Sequence, residues 1–240
     1  MRDQSALVTR WSKASPEKDS SSLSLYFRTG TFYRGSTDCS ALPRTRVTFA
    51  EMIGYSFSAS ILLLLMGRDS AKGVSDRAIA VNPPVDLEDC SRRLPLGFNR
   101  FYDNYFIGRI RREVQTRLGA TALVPTRTTR DFDSAYVAAM AGFPDRASYY
   151  AHCSCGPHLG GIRVPTVIIT CRDDPFAPAE AVLKHACAPL VHLQVERSGG
   201  HMGYVSQNLR DRRWLGYALD HYLGQLLGPP HGQGKRMINL

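Results

Sequence analysis

Short apolar runs alternate with stretches of helix-forming residues along much of this chain. Runs that predict strands occupy residues 47–53, 77–82, 165–170 and 190–195. Segments that predict helices occupy residues 58–66, 178–188 and 203–227. The run at 165–170 is continuously apolar and β-branched, which is typical of a parallel strand buried on both faces. The alternation predicts an α/β fold with a doubly wound, mostly parallel sheet.

A polar and aromatic block at residues 86–151 interrupts this alternation. It reads as helical, with breaks at Pro and Gly positions, and it predicts a helical cap inserted between two strands. Residues 1–24 are polar and Ser-rich and predict an irregular or disordered segment, and residues 228–240 predict a flexible tail. The interpretation is therefore one α/β domain at 25–227, with the cap at about 86–151.

Composition narrows the class of protein. The chain has 240 residues, of which 43% are hydrophobic and 21% charged, as expected for one globular domain. Apolar runs stay well short of the roughly 18 residues of a membrane span, and the first residues lack the apolar core of a signal peptide. A cytoplasmic location is the default prediction. The six scattered cysteines then predict reduced thiols.

The net charge of +9 raises the alternative of a partner that is a nucleic acid or an anionic membrane surface. The arginine clusters, at 109–112 and 210–213, are not interleaved with aromatic residues in a recognition motif. A solvated basic surface is the favoured interpretation, with no specific nucleic-acid partner. The oligomeric state stays open.

A serine lies between the first predicted strand and the first predicted helix. The stretch Gly54-Tyr55-Ser56-Phe57-Ser58 follows the G-x-S-x-G pattern of a nucleophile elbow, except that Ser58 replaces the second glycine. Such a turn lifts the serine hydroxyl above the sheet. The motif alone is weak evidence, because a plain loop serine gives the same pattern. We also expect Ser58 to crowd the elbow, where helix and strand pack tightly.

Two further residues follow later strands. Asp174 comes after the run at 165–170, and His201 follows the run at 190–195 behind two glycines. The order Ser56, Asp174, His201 is that of α/β-hydrolases. Asp174 is preferred over Asp173 because it occupies the third position after Cys171. Two alternatives remain: the aspartates cap the next helix, or His201 is a structural histidine.

The chemistry assigns a role to each residue. His201 would take the proton of Ser56 and return it to the leaving alcohol, while Asp174 would orient the imidazole. The backbone N–H of Phe57 would supply one oxyanion donor. The ligand types at 152–158 (His-Cys-Ser-Cys-Gly-Pro-His) offer a zinc alternative, but their spacing is too tight for a usual structural motif.

Several separated motifs resemble the YheT-like α/β-hydrolases, a group of predicted carboxylic-ester hydrolases, over about residues 32–225. The segments that carry the resemblance are Gly54-Tyr55-Ser56-Phe57, Asn82-Pro83-Pro84-Val85-Asp86-Leu87, Asn99-Arg100-Phe101-Tyr102-Asp103, Arg130-Asp131-Phe132-Asp133, Asp173-Asp174-Pro175-Phe176 and Gly199-Gly200-His201-Met202-Gly203-Tyr204. The resemblance implies hydrolysis of short- to medium-chain acyl esters without a cofactor. It also implies that Ser56, Asp174 and His201 form the charge-relay system.

The chain departs from the family before the serine. The family has a His-Gly loop there that gives the second oxyanion donor, whereas the first histidine of this chain is His152. We therefore expect the N-terminal strands of the fold to be missing or replaced. The competing hypothesis is a catalytically impaired or truncated relative that has a binding role only.

Overall fold

The computed structural model describes residues 51–68, 75–118, 125–206 and 214–227. The predictions for residues 1–24 and 228–240, and those for the N-terminal strands of the fold, fall outside these ranges. Within them, four parallel strands form one sheet in the order β1–β2–β3–β4. Their bounds are Glu51–Tyr55 for β1, Arg77–Val81 for β2, Thr166–Cys171 for β3 and Val191–Glu196 for β4. The predicted α/β class and parallel sheet are confirmed.

Apolar side chains alternate between the two faces of the sheet and build two hydrophobic cores. On one face Ala78, Ala80 and Ile168 pack with Leu63 and Val182 from the helices that connect the strands. On the other face lie Ile79, Val81, Val167, Ile169 and Cys171, which pack against the C-terminal helix. All six residues of β3 are buried, as its continuous apolar run predicts for a central strand covered on both sides.

Helices cover both faces and form the inserted block. Their bounds are Phe57–Gly67 for α1, Leu87–Arg93 for α2, Arg100–Leu118 for α3, Thr129–Phe132 for α4, Ala138–Met140 for α5, Arg146–Cys153 for α6, Ala179–Leu183 for α7 and Trp214–Leu227 for α8. A π-helical turn at Asp133–Val137 joins α4 to α5, and short 3₁₀ helices occupy Gly97–Asn99 and Gly156–Gly161.

The elements α2 to α6 form the helical cap between β2 and β3. They have a small hydrophobic cluster of their own, built from Ile107, Val114, Phe132 and Tyr136. Thr128 caps α4 in a reciprocal capping box with Asp131, and Asp145 caps α6 through the backbone N–H of Ser148. The sequence therefore encodes these helix starts locally.

Two helix predictions are too long. Residues 203–206 are not helical, and α8 begins at Trp214 within the described ranges. The Gly199–Tyr204 stretch turns back on itself instead, since Gly203 N–H donates to the carbonyl of Gly199. The helix predicted at 178–188 ends at Leu183, before Pro189. All five cysteines of the described ranges are free thiols.

Candidate active site

Ser56 lies in a strained turn between β1 and α1. Its backbone has φ 52° and ψ −125°, a conformation that non-glycine residues rarely adopt. The Ser56 N–H donates to the carbonyl of Val81 at 2.8 Å, which anchors the turn to the end of β2. The strain is thus held by the neighbouring strand, and strain of this kind clusters at functional sites.

The neighbours of Ser56 explain why the turn fits. A Cβ at Gly54 would lie 2.7 Å from the Cα of Ala59 and 2.9 Å from its nitrogen, so only glycine allows α1 to approach β1 this closely. The expected crowding by Ser58 is wrong. Its hydroxyl donates to the Tyr55 carbonyl at 2.7 Å and accepts from the Tyr55 N–H at 2.9 Å, and these bonds stabilise the turn.

The three residues predicted from chain order meet at the carboxyl edge of the sheet. Ser56 Oγ lies 2.8 Å from His201 Nε2, and His201 Nδ1 lies 2.8 Å from Asp174 Oδ2. The side chain of Asp174 is fully buried and that of His201 is 8% exposed. A proton on Nδ1, facing the carboxylate, leaves Nε2 free to accept the hydrogen bond of Ser56.

Asp174 is held by more than the histidine. Its Oδ1 accepts the backbone N–H groups of Phe176 at 3.1 Å and Ala177 at 2.9 Å. Its Oδ2 accepts Asn82 Nδ2 at 2.7 Å, beside the bond from His201. With both oxygens bonded, the carboxylate cannot rotate away from the imidazole without breaking several bonds.

Asn82 is the residue at this site to which the sequence interpretation gave no role. It follows β2 directly, is fully buried and has φ 46°, which asparagine tolerates better than most residues. Its Nδ2 also lies 3.3 Å from the Gly200 carbonyl, so it links the turn that carries Asp174 to the turn that carries His201. The signal in the sequence was an Asn-Pro-Pro stop at a strand end, the same edge as the other polar residues.

Asp173 has a separate task. Its Oδ1 accepts the N–H groups of Gly199 at 2.8 Å and Gly200 at 2.9 Å, and Gly200 has a positive φ of 51°. Burial acts to raise the pKa of Asp173, but these backbone hydrogen bonds, together with the Cys171 thiol, outweigh it and hold the pKa below its usual value. Asp173 therefore shapes the loop before His201, while the neighbouring Asp174 contacts the imidazole.

Phe57 is the first residue of α1, where helix geometry supplies no backbone partner for the N–H. This N–H follows Ser56 directly, as the predicted oxyanion donor requires. In the segment 152–158, Cys155 is packed in the core, and the His152 ring contacts the Phe143 ring at 5.1 Å with a tilt of 49°. Across the described ranges, no group of three or more His, Cys, Asp or Glu residues could hold a metal ion.

A ring contact supports the imidazole from the cap side. The buried Phe176 ring lies 4.1 Å from the His201 ring, centroid to centroid, and the Tyr102 ring of α3 packs edge-on against Phe176 at 5.4 Å. With these contacts the arrangement can pass the Ser56 proton to His201, stabilise the imidazolium with Asp174, and return the proton to a departing group.

The relatives that comparison with known proteins finds include proteins named as an esterase and a lipase. No family model matches the chain. It is 31% identical over 174 residues to the Escherichia coli protein named "Putative esterase YheT", covering 68% of this chain and 51% of that protein. It is 28% identical over 188 residues to a monoacylglycerol lipase of Saccharomyces cerevisiae, covering 72% of this chain and 41% of the yeast protein.

Among solved structures, an esterase of Pyrococcus furiosus aligns with 74% of this chain, and the alignment covers 53% of the esterase chain. The TM-score is 0.40 and the sequence identity is 15%. The chain spans about half the length of the curated relatives it matches.

Proposed function

From its place among the YheT-like α/β-hydrolases, we propose that this chain is a serine hydrolase that cleaves short- to medium-chain acyl esters of carboxylic acids. The observation that carries the proposal is the continuous hydrogen-bonded path from Ser56 through His201 to Asp174, with 2.8 Å at each step. The relatives named as an esterase and a lipase support the same reaction class.

The mechanism follows from this path. Ser56 Oγ attacks the ester carbonyl as His201 Nε2 takes its proton, and Asp174 stabilises the imidazolium. The tetrahedral oxyanion accepts the N–H of Phe57, and collapse expels the alcohol, which takes the proton from His201. Water then attacks the acyl-enzyme by the same steps and releases the acid. No step requires a cofactor or metal.

The alternative is an α/β domain that binds a ligand and does not turn it over. The observation that favours it is that no histidine precedes Ser56 in the sequence given, so a His-Gly loop that would supply a second oxyanion donor is not among these residues. Loss of one such donor lowers turnover by about 10²–10³-fold, so a slow rate is consistent with the proposal.

The first test is the Ser56→Ala variant on p-nitrophenyl butyrate. We expect the rate to fall by about 10⁴-fold, because the nucleophile is lost while binding remains. A fluorophosphonate probe should label the wild-type protein at Ser56, identified by peptide mass.

Ser134→Ala is the matched control, since this serine is exposed in the cap and bonds to Arg130 and Arg146, which are both cap residues. It should leave both readouts unchanged. Esterase activity that survives Ser56→Ala would remove the assignment, and a folded wild type that neither labels nor hydrolyses would favour the binding-only alternative.

A further inference from the structure

Five large apolar side chains stand exposed on the cap. This rim patch consists of Leu96, Phe98, Phe101, Tyr102 and Tyr105. Phe98 is 89% exposed and Phe101 is 74% exposed. Contiguous exposed apolar side chains are unfavourable in water, and they mark a surface that meets a partner.

The rim patch contacts the residues that follow Asp174 in the chain, next to the triad. Asn99 lies within the segment that carries the patch. Its Nδ2 donates at 3.0 Å to the carbonyl of Pro175, the residue that follows Asp174. Tyr102 packs on Phe176, which in turn packs on His201. Whatever binds the patch is therefore held beside the catalytic histidine.

The charges around the patch are positive. Arg100 is exposed between Phe98 and Phe101 and has no ion-pair partner in the described part of the chain. Arg109 lies 5.8 Å from the Tyr105 ring centroid. Because residues four apart share a helix face, Phe101, Tyr105 and Arg109 form one stripe of α3, and Arg112 continues it.

Three acidic residues of this region are bonded to other parts of the cap. Asp103, in the first turn of α3, is buried and accepts the backbone N–H of Thr129 at 3.0 Å. Glu88 and Asp89 of α2 are paired with arginines. The patch therefore combines aromatic rings with arginine charge that these carboxylates do not neutralise.

We propose that the rim patch docks on a lipid surface that contains anionic headgroups. Aromatic side chains partition into the boundary between headgroups and acyl chains, and arginines beside them pair with phosphate. The basic balance of the whole chain, +9, adds to the attraction. Since docking presents the triad to esters held in the lipid phase, this inference deepens the proposed function and names lipid-phase acyl esters as its substrate class.

Vesicle sedimentation tests the docking without catalysis. Wild-type protein and Ser56→Ala should both sediment with phosphatidylcholine vesicles that contain phosphatidylglycerol, and more weakly with phosphatidylcholine alone. Phe98→Ser and Phe101→Ser should each weaken the partition of the protein onto vesicles by about ten-fold, because an aromatic ring is no longer transferred from water into the lipid. Arg109→Glu should weaken binding to the anionic vesicles selectively.

Leu190→Ser is the matched control. Leu190 is 49% exposed but precedes β4, at the edge of the sheet opposite the triad. It should bind like the wild type. Equal loss in this variant, or vesicle binding that Phe98→Ser and Phe101→Ser leave intact, would overturn the proposal. The proposal would also be overturned if the wild type did not sediment with the vesicles. It would fail as well if the wild type were a dimer that Phe98→Ser converts to a monomer, since a second copy would then occupy the patch.

A kinetic comparison separates the two proposals. The rate on an ester embedded in anionic vesicles, divided by the rate on a dissolved short ester, should fall in the Phe98→Ser, Phe101→Ser double variant. If Ser56→Ala binds vesicles while the wild type hydrolyses neither ester, docking stands and the hydrolase assignment fails. An unchanged ratio would exclude a role of the patch in substrate delivery.

Discussion

At the scale of single residues, the candidate site depends on how Asp174 is fixed. Four donors hold its two oxygens: the backbone N–H groups of Phe176 and Ala177, the imidazole of His201 and the amide of Asn82. Hydrogen bonds to a charged carboxylate are stronger than those between neutral groups. We therefore propose that Asn82 is a positioning residue, which would act on the proposed reaction through Asp174.

Replacing Asn82 tests this role. Glycine accepts the positive φ of position 82, so Asn82→Gly removes the amide without adding backbone strain. We expect kcat/KM to fall by about 10- to 100-fold, because a hydrogen bond to a charged group contributes roughly 1.5–3 kcal/mol. Asn82→Asp should lower it further, because the donor is replaced by a second carboxylate that repels the carboxylate of Asp174.

A purely structural role would give a different pattern for Asn82. Asn82→Gly would then lower the unfolding temperature while kcat/KM of the folded fraction stayed at the wild-type value. Asn82→Ala, which keeps the backbone strain, separates the loss of the amide from the loss of φ tolerance.

At the scale of elements, the turn from β1 to α1 positions Ser56, the proposed nucleophile. α1 lies against the sheet through buried Ala59, Leu62, Leu63 and Met66, and its N-terminus approaches β1 at Gly54. The strained Ser56 persists because both flanking elements are packed. The stability of this contact sets where the Ser56 hydroxyl lies.

Gly54→Ala and Gly108→Ala form a matched pair for this contact. A methyl at position 54 would meet backbone atoms within 2.9 Å, so we expect a loss of about 1–3 kcal/mol in unfolding free energy and weaker probe labelling of Ser56. Gly108 lies within α3 with no atom within 4 Å of an added Cβ, and alanine there should stabilise by about 0.5–1 kcal/mol. Urea denaturation measures both, and equal stabilities of the two variants would contradict the close approach.

At the scale of the molecule, the sheet and the cap have separate hydrophobic cores. The cap joins the sheet partly through polar contacts, such as that between Asn99 and Pro175. Within the described ranges, the helices are too short or too polar to cross a membrane. A half-buried carboxylate in the cap, Asp133, couples the stability of the molecule to pH.

Burial raises the pKa of Asp133 from 3.8 to about 6, against the opposing effect of its hydrogen bond from Tyr150. The folded state therefore binds a proton more tightly than the unfolded state. The stabilising free energy from protonation of Asp133 is complete below the pKa of the unfolded state, and it is lost as the pH rises through the pKa of the folded state. We expect the wild type to lose stability relative to Asp133→Asn as the pH rises from about 4 to about 7.

Thermal unfolding of both proteins across this range measures the difference, so that titrations shared by the two proteins cancel. Asp131→Asn is a suitable control, because Asp131 is exposed and its pKa is lowered, chiefly by its hydrogen bond with Thr128. The stability difference between the wild type and Asp131→Asn should change with pH only in the acid range below about pH 4. There the wild type should gain stability relative to the variant as the pH rises, which is the opposite sign to Asp133. Parallel curves for the wild type and Asp133→Asn would contradict a raised pKa.

Local patterns carried most of the fold prediction. The β-branched run of β3 and the apolar run of α1 are set by periodicity and burial, and both appear where they were predicted, within one or two residues. The helix predicted at 203–227 failed near its start because Gly199, Gly203 and Tyr204 pack against each other in a turn. A Cβ at Gly199 would lie 2.4 Å from the Tyr204 ring, a contact that periodicity does not record.

The sequence by itself determined the approximate place of the strands and the order of Ser56, Asp174 and His201, because apolar runs mark the strands and strand ends in a parallel sheet collect polar residues at one edge. Only the tertiary structure decided which atoms meet there. Asn82 lies 92 residues from Asp174 along the chain, and its bond to Asp174 depends on β2 and β3 lying side by side. The same holds for the link from the rim patch to His201 through Phe176, since contacts between distant segments follow from packing, which local residue preferences do not specify.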